Sequence, residues 1–217
     1  MDKLKVRSWK ELLSLPTPDV LYLVEPQILS IGGALVLYGN AETWKSWFMI
    51  ELAYALSEGK KWLGVYQCHK AKVMMLQTEQ TEVMYKDRIV SFQHSLNGTV
   101  PSNVLIATDL AIKLDNPYGR GMLEAEVKQY RPDVLIIDNW YHTLTVEKEE
   151  SVMKAATEGI EKLRQDYGVA AVIVHHPRKA GEEDRGFDEL SGSNVLNRWA
   201  DTIIRVWERD RATDTYE

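Results

Sequence analysis

Short, wholly apolar runs alternate with amphipathic stretches along the chain after Gly33. The apolar runs predict strands at 34–38, 72–78, 103–108, 133–138, 169–174 and 201–207, and the stretches between them predict helices at 45–57, 81–95, 121–130 and around 152–167. In the last of these helices apolar residues recur about every 3.6 residues, as on one helix face. Apolar strands separated by helices indicate a mostly parallel sheet with helices on both faces. We therefore predict an α/β fold that binds ligands at the carboxyl ends of its strands.

The first 32 residues follow a different pattern, because three prolines interrupt them: Pro16, Pro18 and Pro26. This punctuation predicts a short helix followed by an extended arm. We assign residues 1–32 to an N-terminal arm and residues 33–217 to one α/β domain. The arm could pack on its own domain or on a neighbouring subunit, and the sequence leaves both arrangements open.

Composition narrows the class of protein. A chain of 217 residues has the size of a single domain. Its net charge of −6 excludes a generally basic nucleic-acid binder, although a local channel lined by lysines and arginines is compatible with it. Cys68 is the single cysteine and cannot form an internal disulfide, which favours a reducing compartment. No apolar run approaches the ~20 residues of a membrane span, and the N-terminus lacks a signal-peptide core. We expect a cytoplasmic protein without a membrane segment.

A phosphate-binding loop is predicted directly after the first strand of the domain. Backbone N–H groups of such a loop point at phosphates from a helix N-terminus. Lys45 would reach the β and γ phosphates, and the Ser46 hydroxyl would bind Mg²⁺. A tryptophan at position 44 replaces the expected glycine, at a cost of about 1–2 kcal/mol if its backbone is left-handed. A strand–turn–helix without phosphate is the alternative. The predicted nucleotide-binding residues are Gly39, Asn40, Ala41, Glu42, Thr43, Trp44, Lys45, Ser46 and Trp47.

Two carboxylates follow other predicted strands. Asp138 ends the apolar run DVLIID, the pattern of a residue that organises Mg²⁺ beside a phosphate loop. Glu79 follows the run KVMMLQT and could activate the attacking water if that strand neighbours the strand before the loop. A solvated glutamate at a helix start is the alternative for Glu79. Glu82, one helical turn further on, is the second candidate for the base.

Histidines and arginines lie after the later strands. His175 or His176 could contact the γ-phosphate or the attacking water, while a structural role or a metal site are the alternatives. Arg205 and Arg209, together with Arg211, surround the last predicted strand. An arginine supplied by a neighbouring subunit can stabilise charge on a transferring phosphoryl group, although a solvated basic turn explains any one of them equally well.

The phosphate loop, Glu79, Asp138, the segment HHPRK and the segment SGSNVLNRWADTIIRV together resemble RepA-type members of the RecA/DnaB-like ATPases. The resemblance covers roughly residues 32–209. It implies a RecA-like P-loop fold, ATP and Mg²⁺ bound between subunits, and a homo-oligomeric ring, often hexameric. It further implies water activation by Glu79, γ-phosphate sensing by His175 or His176, and an arginine finger at Arg205 or Arg209.

Three features depart from the family pattern: Trp44 in the loop, an acidic stretch at 180–189, and a chain end soon after Arg211. The family implies loops that contact single-stranded DNA, which the acidic stretch disfavours. The leading hypothesis is an oligomeric ATPase acting on single-stranded DNA. An ATP-gated regulatory or assembly module without DNA processing is the alternative, and a small-molecule phosphotransferase is a third reading that lacks a visible acceptor pocket.

Overall fold

The computed structural model describes residues 4–17, 19–40, 43–96, 100–146, 149–176 and 194–207. Its helices are α1 (Trp9–Leu13), α2 (Lys45–Glu58), α3 (Glu82–Ser95), α4 (Pro117–Tyr130), α5 (Glu150–Tyr167) and α6 (Asn194–Trp199). Its strands are β1 (Tyr22–Val24), β2 (Leu29–Ser30), β3 (Ala34–Gly39), β4 (Lys61–Trp62), β5 (Tyr66–Gln67), β6 (Val73–Gln77), β7 (Val104–Thr108), β8 (Val134–Asp138), β9 (Ala170–His175) and β10 (Thr202–Val206).

Within the described residues, six strands form the central sheet in the order β10-β3-β9-β8-β6-β7. Every pair of neighbours in this sheet is parallel. The predicted parallel α/β architecture is therefore confirmed. The short hairpins β1–β2 and β4–β5 were not predicted, because strands of two or three residues leave no apolar period to read.

The sheet has a buried layer on each face because its strands alternate between two sets of neighbours. In β3, Leu35 and Leu37 join a cluster with α2 and α3, whereas Val36 and Tyr38 join a cluster with α4, α5 and α6. The predicted apolar face of α5 is buried through Ala156, Ile160 and Leu163. Helices on both faces fix the carboxyl ends of the strands as the edge that is open to a ligand.

The N-terminal segment divides into two parts with different environments. The hairpin β1–β2, which the sequence placed in the arm, contributes Leu23, Val24 and Leu29 to the core on the α2 side. The preceding helix α1 begins after the capping residue Ser8 and has no buried residue. Large apolar side chains of this first part are exposed: Leu4, Val6, Trp9, Leu12, Leu13 and Leu15.

Across the part of the chain that the structure describes, no helix is both long enough and apolar enough to cross a membrane.

Candidate nucleotide-binding site

The loop between β3 and α2 has the close backbone packing that a phosphate loop requires. A Cβ atom on Gly39 would lie 2.3 Å from the carbonyl oxygen of Val206, so only glycine fits there. Trp44 adopts a left-handed backbone conformation, with φ 62° and ψ 16°. Helix α2 then begins at Lys45 without a side-chain cap, so its first N–H groups remain available to an anion. Ala41 and Glu42 lie outside the described residues.

Lys45 is held inside this loop rather than extended into solvent. Its side chain is buried, and its ammonium group donates to the carbonyl oxygen of Asn40 and, at 3.2 Å, to Oγ1 of Thr43. Burial lowers the pKa of Lys45 to about 8, while the nearby carboxylates of Asp138 and Glu79 act in the opposite direction. A buried cation beside free helix N–H groups is the arrangement that binds phosphate oxygens.

Asp138 ends β8 beneath the loop and is 2% exposed. Among the described residues, no group forms a hydrogen bond of normal geometry with either of its carboxylate oxygens. Burial raises the pKa of Asp138 to about 6, against the opposing influence of the Ser46 hydroxyl. Two unpartnered carboxylate oxygens beside a hydroxyl fit the hard-oxygen ligands of Mg²⁺.

The described residues contain no cluster of three or more His, Cys, Asp or Glu side chains that would hold a metal by itself. Mg²⁺ is usually bound by one or two protein oxygens together with phosphate oxygens and water. Ser46 and Asp138 fit that role, and a protein-only metal centre formed by the paired histidines finds no support in this part of the chain.

Glu79 sits in a network of side chains just beyond the end of β6. The side-chain amide of Asn139 donates to Oε1 of Glu79, and Nε2 of His176 lies 3.5 Å from the same oxygen. The backbone N–H of Glu79 donates to Oε1 of Gln77 at 2.7 Å. The hydrogen bond from His176 lowers the pKa of Glu79 although burial opposes it, so the carboxylate is ionised at neutral pH. An oriented, ionised carboxylate can accept a proton from water.

One premise about Glu79 was wrong. Strand β6 does not neighbour the loop strand β3, because β8 and β9 lie between them. Glu79 nevertheless reaches the loop, since all of these strands end at the same edge and the side chains of Asn139 and His176 bridge the gap. The second candidate, Glu82, is exposed in the first turn of α3 and does not line the cleft.

The two histidines occupy different environments. His175 is buried at the end of β9 opposite Tyr38, and its ring packs against Tyr141 with 4.7 Å between ring centres. Burial lowers the pKa of His175 to about 4, so this side chain is neutral. His176 instead lines the cleft beside Glu79. The geometry places His176, and not His175, where a γ-phosphate would be sensed.

These groups surround an open cleft of about 360 Å³. Lys45, Ser46, Glu79 and His176 line it, as predicted from the sequence, and so do Thr43, Trp44 and Trp47. Arg88 of α3 also lines it, with its guanidinium 5.8 Å from the ring centre of Trp47. Sequence reasoning missed Arg88 and Asn139, since a lone arginine within a helix and an asparagine after an aspartate carry no distinctive spacing.

The arginines predicted near the last strand lie elsewhere or outside the described residues. Arg205 is in β10 and lines a separate, largely apolar groove with Phe48, Trp62 and Trp207. Arg209 and Arg211, and the polar loop that begins at Arg178, lie outside the described residues. No arginine of β10 therefore enters the cleft of its own chain.

The fold and the cleft together define a P-loop ATPase domain of the RecA/DnaB-like type. The AAA_25 family, described as an AAA domain, matches residues 2–182, and the chain belongs to this family.

Two solved structures share the fold at low sequence identity. One is the ATPase domain of another protein, 11% identical with a TM-score of 0.62, over 85% of this chain and 72% of that one. The other is the flagellar accessory protein FlaH from Methanocaldococcus jannaschii, 15% identical with a TM-score of 0.51, over 80% of this chain and 70% of that one. No curated protein sequence is significantly similar to this chain.

Proposed function

We propose that the protein is a Mg²⁺-dependent ATP hydrolase whose reaction takes place in the cleft above β3, β8 and β6. The observation that carries this proposal is the convergence of a buried cation, Lys45, with two carboxylates, Asp138 and Glu79, around one helix N-terminus. The family and the fold shared with a solved ATPase domain support a nucleotide as the ligand.

Each group has a distinct role in the proposed reaction. Lys45 and the first N–H groups of α2 hold the β and γ phosphates and stabilise the charge that develops on them. Ser46 and Asp138 would hold Mg²⁺, which when bound neutralises phosphate charge. Glu79 accepts the proton of the attacking water, and Asn139 fixes the direction in which its carboxylate points. His176 lies beside Glu79, where it can donate to the terminal phosphate.

The test is steady-state release of phosphate from ATP by the purified protein, with and without Mg²⁺. We expect hydrolysis that depends on Mg²⁺, and a loss of roughly 10²–10³-fold in kcat for Lys45→Ala, as for removal of other preorganised charge-stabilising groups. Lys86→Ala is the matched control, because Lys86 is an exposed lysine on α3 outside the cleft. Equal activity of the wild type and Lys45→Ala would refute the proposal.

We further propose that the active form is a homo-oligomeric ring in which a neighbouring subunit completes the site. Two observations support this step. The cleft contains no arginine from β10, and α1 exposes Trp9, Leu12 and Leu13 with no residue of the helix buried against the described part of the domain. Large apolar side chains exposed together are typical of surfaces that bind another protein.

Coupling of hydrolysis to single-stranded DNA is the finer proposal, and a nucleotide-gated assembly module is its alternative. The net charge of −6 favours the alternative, as does the occurrence of the same fold in a flagellar accessory protein. Fluorescence anisotropy with a labelled oligonucleotide separates them: binding that weakens steeply with salt, and hydrolysis accelerated by the oligonucleotide, support DNA coupling. Hydrolysis indifferent to the oligonucleotide supports the assembly module.

A further inference from the structure

Trp44 combines two properties that the folded protein alone does not explain. Its backbone is left-handed, at φ 62°, which costs free energy for any residue with a side chain. Its side chain is 67% exposed, so burial of the indole returns little of that cost. Unfavourable backbone conformations that persist in a fold are concentrated at functional sites. The indole of Trp44 is therefore a candidate for contact with a ligand.

The surroundings of Trp44 point to the phosphate end of the nucleotide. Its indole lines the cleft with Glu79 and His176, and its ring centre lies 6.4 Å from that of Trp47. Arg88 lies over the Trp47 ring. No carboxylate of the described residues forms an ion pair with Arg88, so this cation is available to an anionic ligand. Two indoles and a guanidinium thus form one wall of the cleft.

We propose that Trp44 is a specificity-determining residue whose indole covers the terminal phosphate of a bound nucleoside triphosphate. This inference rests on the proposed function and adds a preference for triphosphates over diphosphates. An indole beside the phosphate displaces water and lowers the effective dielectric, which strengthens the attraction of the terminal phosphate to Lys45 and Arg88. A diphosphate ends before this wall and gains nothing from it.

The test is calorimetric titration of Mg²⁺-AMP-PNP and Mg²⁺-ADP into the wild type and Trp44→Gly. We expect the Kd of AMP-PNP to rise about tenfold in Trp44→Gly, the effect of losing about 1.4 kcal/mol of contact, while the Kd of ADP changes by less than about threefold. Trp44→Phe retains part of the aromatic surface and gives an intermediate value for AMP-PNP.

Leu63→Gly is a matched control, because Leu63 is also an exposed apolar residue with positive φ, at 52°, and it lies outside this cleft. Both glycine variants relieve a left-handed backbone. Their thermal midpoints without nucleotide should equal or exceed the wild-type value, by up to roughly 2–4 °C. Only Trp44→Gly should change AMP-PNP binding.

Three results would overturn the inference. An unchanged Kd for AMP-PNP in Trp44→Gly removes the contact, and tighter binding shows that the indole obstructs the cleft. A lower thermal midpoint of Trp44→Gly without nucleotide shows that the indole stabilises the fold instead. Each of these leaves the proposed function intact if the wild type binds and hydrolyses ATP. Failure of the wild type to bind AMP-PNP contradicts the proposed function and the inference with it.

Discussion

Replacement of Asp138 by asparagine should stabilise the protein while it abolishes Mg²⁺-dependent hydrolysis. Burial raises the pKa of this carboxyl from 3.8 to about 6, and neither of its oxygens has a hydrogen-bond partner of normal geometry among the described residues. Each pKa unit corresponds to about 1.4 kcal/mol. Keeping Asp138 ionised at neutral pH therefore costs the folded protein roughly 3 kcal/mol. Asparagine has the shape of the protonated acid without this cost.

The pH dependence has a definite sign. Because the folded pKa lies above the unfolded one, between about pH 4 and pH 6 the folded protein holds a proton that the unfolded chain has lost. The stability contributed by this group therefore falls as pH rises through that window. About half of the cost of ionising Asp138 should be present at pH 5, and nearly all of it at pH 7.5.

Urea unfolding of the wild type and Asp138→Asn at pH 5 and pH 7.5, without nucleotide or divalent metal, measures this effect. We expect the variant to be more stable by roughly 1–3 kcal/mol at pH 7.5 and by about half as much at pH 5. An equal difference at both pH values, or a variant less stable than the wild type, would refute the reasoning. Phosphate release by the same variant should fall to background, because the proposed Mg²⁺ ligand is gone.

Two other predictions concern the water-activating carboxylate and the exposed N-terminal helix. Glu79→Gln should lower kcat by about 10²–10⁴-fold with little change in the Kd of AMP-PNP, since it removes a proton acceptor and keeps the cleft; a kcat near the wild-type value contradicts the assignment. Trp9→Ser combined with Leu13→Ser should shift light-scattering mass from an oligomer towards a monomer without lowering the thermal midpoint of the monomer, because α1 has no buried residue. Identical masses for the wild type and this variant would exclude α1 from the contact.

The sequence was sufficient for the architecture because each long strand is apolar along its whole length. The run DVLIID is buried as β8, and the alternation of neighbours in β3 follows from strand geometry alone. The order of the strands was not predictable in the same way. Two fully buried parallel strands look alike in sequence, and this is why the position of β6 relative to β3 was wrongly assumed.

The candidate site was partly predictable, for reasons that differ from residue to residue. Lys45 and Ser46 follow from the spacing of a loop motif, and Asp138 from its position after an apolar run. The choice between the two histidines needed the strand pairing that places His175 opposite Tyr38 in the core. The wall formed around Trp47 by Arg88 depends on packing between α2 and α3, which no local pattern records.

The central claim is that a buried lysine, its neighbouring serine and two carboxylates from separate strands serve a single triphosphate. A structure of the protein with AMP-PNP and Mg²⁺ tests this most directly. We predict the terminal phosphates within about 3 Å of the ammonium of Lys45, with the metal beside Ser46 and Asp138 and a water molecule between Glu79 and the γ-phosphate. Nucleotide bound elsewhere on the molecule, or phosphates that leave Lys45 bonded to Asn40, would contradict the account.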